Sequence, residues 1–309
     1  MKSIIKPLFF LFFLGSFLLG CQKDVENITS PPIANAGISQ NIQLPAGSFT
    51  LTGSGTTQNG HITGYLWSLI SGPNVPVITS PSSPTTTVTG FLAGSYKFQF
   101  MVIDNAGLTG IDTTSVTLNP SPIQTLTLQP ANNNDERHLF GSATIDQSGH
   151  ATELDAGTWT VGGSTVFLRG AFKFDLSSIP PTATILTAKL TLYSNPTPLN
   201  GNLTNANEGS NNAMYIRRIS SNWTPSTTFW LNQPSTTTTD QVSIPHTAQA
   251  FLDLVDVDVK NLVAPMHSIA NYGFMISLQN EVQYNLRDFC SSTYTNAAKH
   301  PKLVITYQP

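Results

Sequence analysis

From Ile33 onward apolar residues recur at every second position between Gly, Asn and Pro, the pattern of half-buried strands joined by turns. In Tyr96-Lys97-Phe98-Gln99-Phe100-Met101-Val102 the alternation puts Tyr96, Phe98, Phe100 and Val102 on one face. Asn59-Gly60 and Asn105-Ala106-Gly107 fall where tight turns are expected. Pro120 and Pro122 mark a boundary, and a second stretch of the same kind runs from Ile123 to Tyr307. Its predicted strands include Phe172-Lys173-Phe174-Asp175-Leu176, Ala188-Lys189-Leu190-Thr191-Leu192, Phe274-Met275-Ile276-Ser277-Leu278 and Leu303-Val304-Ile305-Thr306-Tyr307. Each has one apolar and one polar face, which predicts two sheets packed face to face. No helix longer than about two turns is predicted. The stretch from Asn195 to Asn212, rich in Asn, Gly and Pro, is a loop long enough to be mobile or functional.

The first residues follow a different pattern. Met1 to Gly20 has two lysines and an apolar block from Leu8 to Leu19, too short and wrongly flanked for a spanning helix, and it predicts a secretory signal. Its Leu18-Leu19-Gly20-Cys21 ending resembles a bacterial lipobox, which implies acylation of Cys21 and membrane attachment through lipid. Gln22-Lys23-Asp24-Val25-Glu26 is similar to a tag that sends some lipoproteins to the outer face, or is a polar tether; residues 21–32 form the anchor and linker. The expected address is the bacterial outer membrane, surface-exposed. Cys290 is the only other cysteine, so with Cys21 acylated no intrachain disulfide is available. It is expected beside or within a strand, as a small buried hydrophobe.

Composition narrows the partners. Charged residues are 10% of the 309, with 22 Gly and 21 Pro, which excludes coiled coils and long solvated helices. Loss of Lys2 and Lys6 with the leader leaves 12 basic against 17 acidic residues, so no basic surface for nucleic acid is expected.

Residues 33–119 carry Ala34-Asn35-Ala36-Gly37, Leu51-Thr52-Gly53-Ser54, Asn59-Gly60-His61-Ile62, Tyr65-Leu66-Trp67 and Val102-Ile103-Asp104-Asn105-Ala106-Gly107 in order. This resembles a PKD-type immunoglobulin-like domain. The resemblance implies a sandwich with Trp67 in its core and a role as spacer or adhesive unit; calcium near Asn59 is a further candidate. Residues 123–309 resemble the DNRLRE-type jelly roll, related to alginate-binding carbohydrate modules. The resemblance rests on Arg169 through Pro180, Ala188-Lys189-Leu190 to Tyr193, Trp223, Thr228-Phe229-Trp230, Asn271-Tyr272-Gly273-Phe274 and Pro301 to Tyr307. Ser291-Ser292-Thr293 stands where that family commonly has Ser-Ser-Glu, and the opening strand matches poorly from Asn132 to His138. The predicted class is therefore all-β: an immunoglobulin-like β-sandwich, then a jelly-roll β-sandwich, after a signal peptide.

Catalytic chemistry is not expected. The chain lacks Gly-x-Ser-x-Gly and His-Glu-x-x-His, and its six histidines are scattered singly, each expected on a surface or turn. Asp256 and Asp258 alternate with Val255, Val257 and Val259, giving either a solvated face with Asp258 capping a short helix or a structural calcium site. Asp135 and Glu136 are expected to be solvated, and Asp175 to be buried and paired with Arg169. Sugar binding by a β-sandwich needs aromatic faces flanked by polar groups, for which Trp159, Tyr215, Arg217 and Tyr284 are the candidates. Arg217 and Arg218 must point to opposite faces if they lie on a strand. Trp223 and Trp230 are expected to be core or loop anchors. The function expected is a non-catalytic surface lipoprotein that binds carbohydrate, with acidic polysaccharide a candidate. The alternatives are a structural or adhesive protein with protein partners, and an accessory module or weak lyase of polysaccharide degradation.

Overall fold

The computed structural model describes residues 30–58, 60–131, 135–149 and 151–309. The leader, Cys21, Asn59, Asn132 to Asn134 and His150 lie outside the described residues, and with them the lipid anchor and the candidate calcium site near Asn59. Two compact units divide after Asn119. No described helix is long and apolar enough to cross a membrane.

In the first unit β1 (Ile33–Asn35) pairs with β4 (Ser54–Thr56), while β2 (Gln40–Gln43), β5 (Ile62–Ser71), β8 (Gly94–Asp104) and β9 (Thr109–Asn119) form a sheet in the order β2-β9-β8-β5. A second sheet contains β3 (Phe49–Thr52), β6 (Val77–Ile78) and β7 (Thr85–Thr89). Tyr96, Phe98, Phe100 and Val102 all face inward, as the alternation predicts, and Trp67 is 1% exposed. The Trp67 and Phe100 rings lie 4.5 Å apart, and the indole N–H donates to the Pro84 carbonyl at 3.3 Å. Gly53 is required beneath Phe100, because a Cβ there would stand 2.6 Å from the ring. The β8–β9 turn is held by Asp104 Oδ1, which accepts from Ala106 N and Leu108 N, each at 2.9 Å.

In the second unit β10 (Gln124–Leu128), β14 (Thr184–Leu192), β18 (Leu254–Asp258) and β21 (Lys302–Gln308) form a four-stranded sheet. The larger sheet runs β15 (Asn207–Glu208), β20 (Asn285–Cys290), β12 (Glu153–Val161), β13 (Ser164–Phe172), β19 (Phe274–Leu278), β16 (Met214–Ile219) and β17 (Thr236–Ile244). An additional strand, β11 (Glu136–Gly141), pairs with β13. Phe172, Phe174, Phe274, Phe289, Leu190 and Ile305 fill the core, each side chain contributing about 1.5–3 kcal/mol on burial. The one described α-helix, α1 (Lys260–Ser268), adds Leu262, Val263 and Met266 to it.

The simple in-out alternation fails in this sheet. Every residue of β11, β19 and β20 is buried. Two loops pack onto this sheet: one seats Trp223 and Trp230 against Leu139, Ala171 and Met275, and the other runs through Asn195 and Asn200 onto acidic side chains of β12 and β20. Glu136 is buried at 4% exposure against Ser292, whose N and Oγ donate to its Oε2 at 2.7 and 2.6 Å, and is not the solvated acid expected. His138 is likewise a buried strand residue and not a surface or turn histidine. Asp175 turns outward to accept from Ser177 N at 2.9 Å and makes no pair with Arg169. Cys290 is buried in β20, and burial pushes its thiol up to about 11.

Candidate functional site

Cross-strand registers define the outward face of the large sheet. Ala171 pairs with Met275 and Met275 with Arg217, while Ser277 pairs with Tyr215 and Tyr215 with Ser243. Paired residues and their i±2 neighbours share a face, so Arg169, Ser277, Tyr215, Arg217 and Ser243 point the same way. The Arg217 guanidinium lies 4.4 Å from the Tyr215 ring centroid, and its Nε donates to Gln241 Oε1 at 2.8 Å. Arg169 donates to Glu281 Oε1 at 3.0 and 2.6 Å and to Gln233 Oε1 at 2.8 Å, and it lies 4.8 Å from the Trp230 ring. Trp230 in turn stacks on Phe167 at 5.7 Å. Two held arginines, a tyrosine and several amide and hydroxyl groups thus line one half-exposed strip. The Nε–Nη2 edge of Arg169 is taken by Glu281, whereas the Arg217 guanidinium keeps both terminal nitrogens for a carboxylate, and a tyrosine face suits a sugar ring. Arg218 pairs with Phe274 and takes the opposite face, as strand geometry requires.

Trp159 and Tyr284 do not join this strip. Trp159 pairs with Val166, which puts it on the face opposite Arg169, and its ring meets that of Tyr284 edge-on at 5.2 Å. It packs partly buried beside Phe140, Val166, Leu168 and Leu286. The four sugar-binding candidates therefore form two separate pairs, Tyr215 with Arg217 and Trp159 with Tyr284. Trp223 and Trp230 are anchors, at 7% and 9% exposure. Asp258 binds Lys189 Nζ at 2.9 Å and accepts from Lys260 N at 3.0 Å, which holds its carboxyl below the ordinary range. Asp256 is exposed with φ 53°, and neither aspartate belongs to a described group of acids close enough to share an ion.

Such a group does exist on the same side of the sheet as Trp159. Asp155 and Asp288 stand directly opposite across β12 and β20, and Glu153 is two positions along β12; one oxygen of each lies within 4.8 Å of the others. Asn195 Nδ2 donates to Glu153 Oε2 and Asp288 Oδ2, both at 3.1 Å, and Leu199 N donates to Glu153 Oε2 at 2.9 Å. Asn200 Nδ2 donates to Asp155 Oδ2 at 3.0 Å and to Glu153 Oε1. Burial, reinforced by Asp155, pushes Glu153 up to about 7; burial with both neighbouring acids pushes Asp288 well above the usual carboxylate range. Glu136 rises to about 7, chiefly through burial. Arg287 faces the core instead, where burial lowers it to about 10.

Sequence reasoning missed this cluster, and also Gln233 and Glu281 as the partners of Arg169. A signal was present in Glu153-Leu154-Asp155, where period-two geometry puts both acids on one face. Nothing local ties either to Asp288 or to the asparagines of the long loop.

Comparison with known proteins assigns each unit. Residues 36–118 match the model for the "K319L-like, PKD domain", and residues 156–307 match "Carbohydrate-binding module family 96". The chain thus carries a PKD domain followed by a carbohydrate-binding-module-like β-sandwich, both typically non-catalytic domain types. Over 78 residues, 25% of this chain and 7% of the relative, it is 37% identical to the mouse (Mus musculus) dyslexia-associated protein KIAA0319-like protein. It spans under a tenth of the length of the curated relatives it matches first. Among solved structures, the PKD domain of KIAA 1837 protein is 32% identical, covering 28% of this chain and 86% of that one with a TM-score of 0.27. A carbohydrate-binding module from the β-sandwich superfamily, described for promiscuous specificity, is 11% identical, covering 91% and 97% with a TM-score of 0.25.

Proposed function

We propose that the chain is a non-catalytic, lipid-anchored surface protein whose PKD domain serves as a spacer for a DNRLRE-type jelly roll that binds acidic polysaccharide. The observation that carries the reading is the outward strip of Tyr215, Arg217 and Ser243 beside Arg169 in the unit that matches carbohydrate-binding module family 96. Arg217, already oriented by Gln241, loses little side-chain freedom on meeting a uronate carboxylate. Tyr215 and the neighbouring hydroxyls supply the ring face and hydrogen bonds a pyranose requires. The Leu18-Leu19-Gly20-Cys21 ending supports the anchor and the bacterial outer membrane as the address.

Affinity electrophoresis of the detergent-solubilised chain through gels containing alginate, polygalacturonate or neutral glucan tests the ligand class. Retardation is expected in the two acidic gels, and Arg217→Ala is expected to weaken it about tenfold through loss of one charge-assisted contact. Equal mobility in all gels would overturn the reading. Incorporation of labelled palmitate, lost in Cys21→Ser, tests the anchor.

A further inference from the structure

The acid cluster beneath the asparagine-rich loop has a charge problem that its hydrogen bonds do not solve. Glu153, Asp155 and Asp288 are each at most 1% exposed, and among the described residues no lysine or arginine pairs with any of them. Asp155 and Asp288 are cross-strand partners whose carboxyls can both be ionised only if something positive lies between them. The loop amides reach Glu153 and one oxygen of each aspartate, leaving Asp155 Oδ1 and Asp288 Oδ1 buried with no donor. A fourth side chain points at the same place from another strand. His138, 7% exposed, sets its Nε2 2.9 Å from Asp155 Oδ2 but out of line for a hydrogen bond. A narrow crevice lined by Glu136, His138, Glu153 and Ser291, without room for a water molecule, runs alongside.

We propose that Glu153, Asp155 and Asp288 hold a divalent cation, with calcium the ion their oxygen donors favour and His138 at its edge. Oxygens bound at about 2.3–2.6 Å on opposite sides of a calcium ion are about 4.6–5.2 Å apart, and the three carboxylates fall within that span. The ion gives the two donorless aspartate oxygens a partner and replaces the repulsion between β12 and β20 with a shared bond. Asn200 Oδ1 makes no hydrogen bond among the described residues, so a half-turn of its amide offers a fourth oxygen from the loop. The site thereby fastens the loop onto the sheet, a role distinct from the outward sugar strip and independent of it.

The test uses the full chain, stripped with EDTA and melted with and without millimolar calcium chloride, alongside calorimetric titration. One calcium per chain at this site and a rise in Tm of about 5–10 °C are expected, the size for an ion near 100-fold over its Kd. Asp288→Asn is expected to keep its near-ultraviolet spectrum, to melt no lower than the unaltered chain in EDTA because a buried repulsion is gone, and to lose the calcium response. Should Asp288→Asn not fold, Glu153→Gln carries the same comparison. No heat and no shift with calcium would overturn the proposal. So would an undiminished shift in the variant, which places the ion elsewhere, or binding of zinc but not calcium, which contradicts the oxygen donor set.

Discussion

Asn195 is the residue through which the long loop and the acid cluster depend on each other, and Asn195→Leu separates them by replacing both polar atoms with methyls on the same Cγ branch. Its amide is fully buried and donates to Glu153 and Asp288, each at 3.1 Å, while its Oδ1 accepts from Thr197 N at 3.0 Å. A hydrogen bond to a charged group contributes about 1.5–3 kcal/mol, and its loss leaves two buried carboxylates with fewer donors. The expected destabilisation is about 3–5 kcal/mol, within the range seen when one partner of a buried charged network is removed. For a domain of this size that is a fall in Tm of about 6–20 °C. Urea unfolding in EDTA measures the total, and hydrogen exchange across residues 195–208 locates it, with the loop amides expected to lose protection first. Asn205→Ala is the control: that side chain makes no hydrogen bond among the described residues, so a change within about 0.5 kcal/mol is expected. A cost for Asn195→Leu no larger than the control would refute the claim that the amides hold the loop against the acids.

Glu136 predicts a pH effect of definite sign. Its carboxyl is raised from an ordinary 4.5 to about 7, so the folded chain holds a proton that the unfolded chain releases. That contribution is full below pH 4.5 and is lost as pH rises through 7, amounting to about 3 kcal/mol. Glu136→Gln should flatten this part of the stability profile in EDTA, since the Ser292 N–H and O–H can still donate to a neutral amide oxygen; an unchanged slope in urea titrations between pH 5 and 8 would count against it. Trp67→Ala should cost the PKD domain about 3–5 kcal/mol and abolish its near-ultraviolet signal, read by circular dichroism. Cys290 should resist iodoacetamide at pH 8 in the folded chain and react fully in guanidinium, because burial both hides the thiol and keeps it protonated. Rapid alkylation of the folded chain would mean that the strand opens readily.

The first unit was largely legible before folding was considered. Period-two patterning chose the buried face of β8, and Trp67, Gly53 and the Asp104-to-Gly107 turn took the places their side chains demand. Strand polarity is a local property there, since a single partner sheet accepts every inward residue. The same rule failed for β11, β19 and β20, where loops from elsewhere in the chain pack onto the strands and bury acids that local pattern assigns to water.

Sequence by itself determined the all-β class, the division near Pro120, and the opposed faces of Arg217 and Arg218, because each follows from spacing of two or from a chain break. Only tertiary structure decided that Arg169 serves Glu281 instead of Asp175, that Tyr215 and Arg217 stand apart from Trp159 and Tyr284, and that three carboxylates converge under two asparagines. The reason is register: which residue of one strand faces which residue of another is set by pairings between distant segments, and no local period records it.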